Sequence, residues 1–192
     1  MECTDKEWQH CRVEKMGCTG CYYDKENKKK TFYIFLDVDG VLNNEEYFME
    51  CFNRHKVKGI MSMHCFPFDP KCLNNLMKLN QELQKQNYNV KIVLSSTWRL
   101  NKLDTEIVNS RLAEYGLRIF ANTIHLNSGN RGLEIINFLK NEKYRKADNY
   151  LILDDEIKDI AEQFEETHII YTNFNTGFDN NKLKEAIQKI NI

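Results

Sequence analysis

The chain turns abruptly apolar at Phe32-Tyr33-Ile34-Phe35-Leu36, then alternates short apolar runs with longer amphipathic segments. Runs rich in Ile, Val, Leu, Phe or Tyr predict strands over 32–37, 90–95, 117–121, 149–153 and 168–172. Amphipathic segments from Pro70 to Gln86, Leu103 to Tyr115, Gly132 to Arg145, Ile157 to Phe164 and Asn180 to Ile190 predict helices between them. In the second, Leu103, Ile107, Leu112 and Tyr115 keep roughly helical spacing. Asp69 before Pro70 supplies an N-cap and a first helical residue. Strands alternating with helices imply an α/β, Rossmann-like fold: a mostly parallel sheet flanked by helices. In such sheets the ligand crevice opens beyond the carboxyl ends of the strands.

Composition narrows the class. The 192 residues suit one compact domain with a small appendage, and 42% hydrophobic content is enough for a core. A mean hydropathy of -0.61 predicts a water-exposed surface, and no apolar run approaches the roughly 20 residues needed to span a bilayer. The start, Met1-Glu2-Cys3-Thr4-Asp5-Lys6, has early acids and no apolar core, so a signal peptide is not expected and cytoplasmic residence is. A formal net charge of -1 produces no global field that would gather polyanions.

Seven cysteines, an odd number with no export signal, argue against a disulfide framework. Four of them, Cys3, Cys11, Cys18 and Cys21, precede the polar run Asp24-Lys25-Glu26-Asn27-Lys28-Lys29-Lys30. This places a boundary near residue 30, between a Cys-rich module over 1–30 and the main domain over 31–192. Cys18-Thr19-Gly20-Cys21 has the tight turn of half a zinc knuckle. Cys11 could add a third thiolate, and Cys3 or His10 could complete a structural Zn²⁺ site. So short a module can hardly bury its own core, which makes a metal staple reasonable; unpaired or redox-active thiols are the rival. Cys51, Cys65 and Cys72 have no metal spacing.

Three predicted strands end in polar residues suited to one phosphoryl-transfer site: Asp37-Val38-Asp39-Gly40, Ser95-Ser96-Thr97-Trp98-Arg99 and Asp154-Asp155. A lone Asp-x-Asp reads first as a cap or turn. Two carboxylates from one strand and one or two from another repel each other unless a cation lies between them. Such oxygen ligands suit Mg²⁺, which keeps waters and accepts a substrate phosphate oxygen.

On these motifs the sequence resembles the haloacid dehalogenase (HAD) superfamily from about Lys30 onward, in the family's motif order. Asp37-Val38-Asp39-Gly40-Val41-Leu42-Asn43 and Leu94-Ser95-Ser96-Thr97-Trp98-Arg99 look like its small-capped branch, related to RNA-repair and polynucleotide phosphatases. The resemblance implies a Mg²⁺-dependent phosphatase in which Asp37 attacks phosphorus and becomes an aspartyl-phosphate. Asp39 would protonate the leaving oxygen, deprotonate the hydrolytic water and ligate Mg²⁺ through its carbonyl. Ser95, or adjacent Ser96, would hold a phosphate oxygen. Arg131, where the family often has Lys, would neutralise charge on the phosphoryl group. Asp154 and Asp155 would complete the metal shell, with Asp159 expected as a solvated helix residue. The second aspartate disfavours dehalogenase and ion-pump chemistry, since those relatives lack an acid/base at that position.

The insertion between Asn43 and Asp69 holds roughly two dozen residues, and neither it nor the 99–131 segment makes a large lid. An open crevice admits nucleic-acid ends, phosphoproteins or nucleotides. Arg54, His55, Lys56 and Lys58 could touch a polyanion, although so short a charge run reads first as solvated surface. Arg99 could bind a substrate phosphate, and Trp98 could stack or serve as scaffold. The rival functional class is a catalytically silent scaffold that binds a partner through the Cys-rich module.

Overall fold

Every position from Phe32 to Leu36 is apolar, and β1 (Lys30–Leu36) is buried on both faces as that pattern requires. Phe32, Ile34 and Leu36 point into one core; Tyr33 and Phe35 point into another. The computed structural model describes residues 29–54, 68–141 and 149–191. Cys3, His10, Cys11, Cys18, Cys21, His55, Lys56, Lys58 and Cys65 lie outside the described residues, and with them the zinc expectation. Cys72 is buried within the larger core.

After β1 come α1 (Glu45–Arg54), α2 (Pro70–Lys85), β2 (Tyr88–Leu94), α3 (Lys102–Ala113), β3 (Ile119–Asn122), α4 (Arg131–Lys140), β4 (Asn149–Asp154), α5 (Lys158–Ala161), β5 (Ile169–Tyr171) and α6 (Asn180–Ile190). All strand pairs are parallel, in the order β3-β2-β1-β4-β5. The larger core lies between one sheet face and residues of α2, α3 and α6, among them Leu76, Leu83, Leu112 and Leu183. The smaller core packs Ile135 and Phe138 of α4 and Ile160 of α5 on the other face. The sheet is therefore covered on both sides, in the α/β arrangement expected.

The differences from expectation are local. Helix α1 forms inside the first insertion, for which no element was predicted; its N–H groups at Glu45 and Glu46 reach the carbonyls of Phe174 and Asn175, 3.0 and 3.1 Å away. Helix α5 has only four residues rather than eight. Helix α4 ends at Lys140, capped at Asn141, short of the Arg145 expected. Asp69 caps α2, its Oδ1 accepting from the Lys71 N–H at 2.8 Å, as the Asp-Pro pair predicted. Among the described residues, no helix is long and apolar enough to cross a membrane.

Candidate active site

The strand order reverses direction between β1 and β4: the chain runs outward through β2 and β3, then returns to the far side of β1. A crevice opens at such a switch point, beyond the strand ends. Backbone pairing brings the polar termini there in register. The Asp37 N–H donates to the Leu153 carbonyl at 3.0 Å, and the Ser95 N–H to the Leu36 carbonyl at 2.9 Å. Asp37 is thus held beside Asp154, the last residue of β4, and Ser95 stands on the opposite side.

Asp37, Asp154 and Asp155 each offer a carboxylate oxygen, and these oxygens all lie within 4.8 Å of one another. Asp37 and Asp154 are almost wholly buried; Asp155 is half-buried. Gly40 explains how Asp155 gets so close. Its φ of 67° turns the chain back after Asp37, and a Cβ there would lie 2.2 Å from Asp155 Oδ2. Only glycine meets both demands.

Arg131 opens α4 and spans two of the carboxylates: Nη1 is 2.5 Å from Asp154 Oδ2 and 3.3 Å from Asp37 Oδ1. The α4 N-terminus is fixed from α5, where Asp159 Oδ2 accepts from the Arg131 and Gly132 N–H groups at 2.5 and 3.4 Å. Asp159 is therefore a cap supplied by another helix, which corrects the expectation of a solvated residue. Gly132 permits that approach, since a Cβ on it would sit 2.3 Å from the Asp159 carbonyl oxygen.

Burial pushes the Asp37 carboxyl above its usual range, against the opposing pull of Arg131 and hydrogen bonds from the Ser96 side chain and the Val38 backbone. Burial, then the charge of Asp37, raises Asp154 to about 7 and Asp155 to about 6. Burial alone would depress the Arg131 guanidinium, but Asp37 and Asp154 more than offset it and raise it. When all three carboxylates are ionised, one guanidinium leaves two negative charges unbalanced in a shielded pocket. An all-oxygen donor set with that excess fits a hard divalent cation.

The Asp39 carboxylate is aimed elsewhere. Its Oδ1 accepts from Asn43 Nδ2 at 2.8 Å and its Oδ2 from Trp98 Nε1 at 2.9 Å. Ser95 Oγ is buried and unpartnered, whereas the Ser96 Oγ accepts weakly from the Trp98 N–H at 3.4 Å. Arg99 does not reach into the crevice. Its side chain is 4% exposed and pairs with Glu134, which is 3% exposed. Its other N–H groups donate to the carbonyls of Ser95 and Ser96, both at 2.6 Å, and of Thr123 at 3.1 Å. With four of five donors used internally, Arg99 is a strut behind the Ser95–Ser96 backbone, which corrects its expected substrate role.

Sequence reasoning missed Glu134 and the roles of Asn43 and Trp98. Glu134 ties Arg99 to the β3–α4 connection by accepting from the Leu126 N–H at 2.8 Å and facing His125 Nδ1 at 3.1 Å. An acid on the inward face of an apolar helix, in Leu133-Glu134-Ile135, was the signal available. Asn43 and the Trp98 indole N–H both act on Asp39, and only their fold-dependent approach reveals it.

No curated protein and no solved structure matches the chain. A family model described as the HAD domain in Swiss Army Knife RNA repair proteins matches residues 33–183, from β1 into α6. That span takes in every carboxylate, serine and arginine of the crevice, and the chain belongs to this family of HAD domains.

Proposed function

We propose that the protein hydrolyses phosphate monoesters at nucleic-acid ends, through a phosphoryl group carried on Asp37. The observation that supports this most is the meeting of Asp37, Asp154 and Asp155 with Arg131 at one switch-point crevice. The family points to a phosphatase-type HAD function, and its printed description ties it to RNA repair. A phosphorylated nucleic acid is the substrate class this suggests.

In the first step an Asp37 oxygen bonds to phosphorus as the ester P–O bond breaks. The bonding pair leaves with the ester oxygen, which takes a proton from Asp39. In the second step water attacks phosphorus, its proton returns to Asp39, and the bond to Asp37 breaks to release inorganic phosphate. Arg131 balances charge on the nucleophile and on the transferred group. The unpartnered Ser95 hydroxyl is free to donate to a phosphoryl oxygen, which favours Ser95 over Ser96 for that role. Mg²⁺ held by Asp37, Asp154, Asp155 and the Asp39 carbonyl would supply further charge neutralisation at the phosphoryl oxygens. The insertion between Asn43 and Asp69 is only about two dozen residues long, too short for a large cap domain, which suits a polymer end.

The test is phosphate release from 3′- and 5′-phosphorylated oligonucleotides, mononucleotides and sugar phosphates, with and without Mg²⁺, against Asp37→Asn. Oligonucleotide turnover that needs both Mg²⁺ and Asp37 is the expected result. A protein inert on all of them, or equally active as Asp37→Asn, ends the proposal.

A further inference from the structure

We infer that Trp98 is a positioning residue for the acid/base Asp39, acting through its indole N–H; the inference rests on the phosphatase reading. An aspartate carboxylate turns broadly about its terminal torsion. A general acid must nevertheless aim its O–H at the leaving oxygen, within a tolerance of about 0.5 Å. In this protein each Asp39 oxygen has its own donor. Asn43 Nδ2 reaches Oδ1 at 2.8 Å, and Trp98 Nε1 reaches Oδ2 at 2.9 Å. A carboxylate has about four lone-pair sites, so both oxygens keep one for the substrate and for water.

Both donors are themselves held. The Asn43 Oδ1 accepts from the Gly40 N–H at 3.2 Å, and Asn43 is fully buried. The Trp98 ring meets Phe68 edge-on with centroids 5.6 Å apart. Its carbonyl accepts from Thr105 Oγ1 at 3.2 Å, so the first turn of α3 anchors the short 97–100 turn that carries it. The indole N–H is Trp98's only side-chain donor, and it is spent on Asp39 rather than on water. The turn that carries Trp98 begins at Ser96, directly after Ser95 at the crevice, so the residue that bonds Asp39 belongs to the same segment as the two serines.

A purely structural Trp98 would support all substrates equally. A positioning Trp98 matters most where the leaving oxygen needs a proton. Trp98→Phe keeps the aromatic packing and removes the N–H, and a benzothiophene analogue of the indole at position 98 keeps the full shape without it. The measurement is kcat/KM for phenyl phosphate and for p-nitrophenyl phosphate, whose leaving group departs readily unprotonated. Both changes should lower kcat/KM for phenyl phosphate at least about tenfold more than for p-nitrophenyl phosphate, and Asp39→Asn should show the same selectivity. If Trp98→Phe fails to fold, the analogue decides. Equal losses on both substrates, or none, with Asp39→Asn still selective, would overturn this inference alone. Wild-type protein inert on both esters and on phosphorylated oligonucleotides would sink the phosphatase reading and this inference with it.

Discussion

Arg99 and Glu134 form a buried ion pair that ties the end of β2 to α4, directly behind the two serines at the crevice. Removing one partner of such a pair leaves an unbalanced charge in a dry environment. Arg99→Ala is therefore expected to cost about 3–5 kcal/mol of stability. Arg99→Lys should cost less, but a point charge cannot reproduce four fork-directed bonds. Urea unfolding gives the stability, and KM measured on folded Arg99→Lys separates the roles. A substrate ligand would raise KM with stability intact; a strut lowers stability with KM nearly unchanged.

Replacing Asp37, the proposed nucleophile, should not destabilise the protein. Asp37 is one of three crowded acids, and burial raises its carboxyl above the usual range. Asp37→Asn removes a repelling charge while Arg131 keeps Asp154. Phosphate release should fall by at least about a thousandfold, given what loss of a nucleophile costs in enzymes that use one. The melting temperature without added metal should stay level or rise. A large fall in melting temperature would show that Asp37 holds the fold together rather than straining it.

The acids also set a pH dependence. In the folded protein Asp154 titrates at about 7 and Asp155 at about 6, against 3.8 for an ordinary aspartate. Between those values the folded state holds protons that the unfolded state has lost, so metal-free stability falls as pH rises from about 4 to about 7. Cation binding needs the deprotonated carboxylates, so its benefit moves the opposite way. Mg²⁺ should raise the melting temperature clearly at about pH 8 and little at about pH 5, with Ca²⁺ and a chelator as controls. A Mg²⁺ effect independent of pH would mean the ion binds elsewhere.

Gly40→Ala tests how Asp155 enters the cluster. The new methyl would strike the Asp155 carboxylate, and φ of 67° adds backbone strain of about 1–3 kcal/mol. Loss of the Mg²⁺-induced rise in melting temperature is expected, with activity reduced in parallel. Gly129→Ala is the control: it shares a positive φ, but nothing lies within 4 Å of its Cβ position. It should lose stability only, keeping its response to Mg²⁺.

The alternation of apolar runs and amphipathic helices was enough, by itself, to imply a parallel sheet covered on both faces. A strand buried on both sides has no position for a polar residue, so Phe32 to Leu36 could be read directly. The same rule made Asp37, Ser95 and Asp154 conspicuous, because each breaks an apolar run where a strand ends. Short elements were less legible. Helix α5 is one turn long, and α1 meets the carbonyls of Phe174 and Asn175, a long-range contact that local pattern cannot encode. Only tertiary structure decided what the basic and aromatic residues do. A guanidinium in sequence is equally suited to substrate or carboxylate, and packing turned Arg99 inward to Glu134 but Arg131 toward Asp37 and Asp154. Trp98 lies 59 positions from Asp39, and only the pairing of β1 with β2 brings its indole N–H to that carboxylate. Asp37 could be picked out from its place at a strand end; the company it keeps depends on which strands became neighbours.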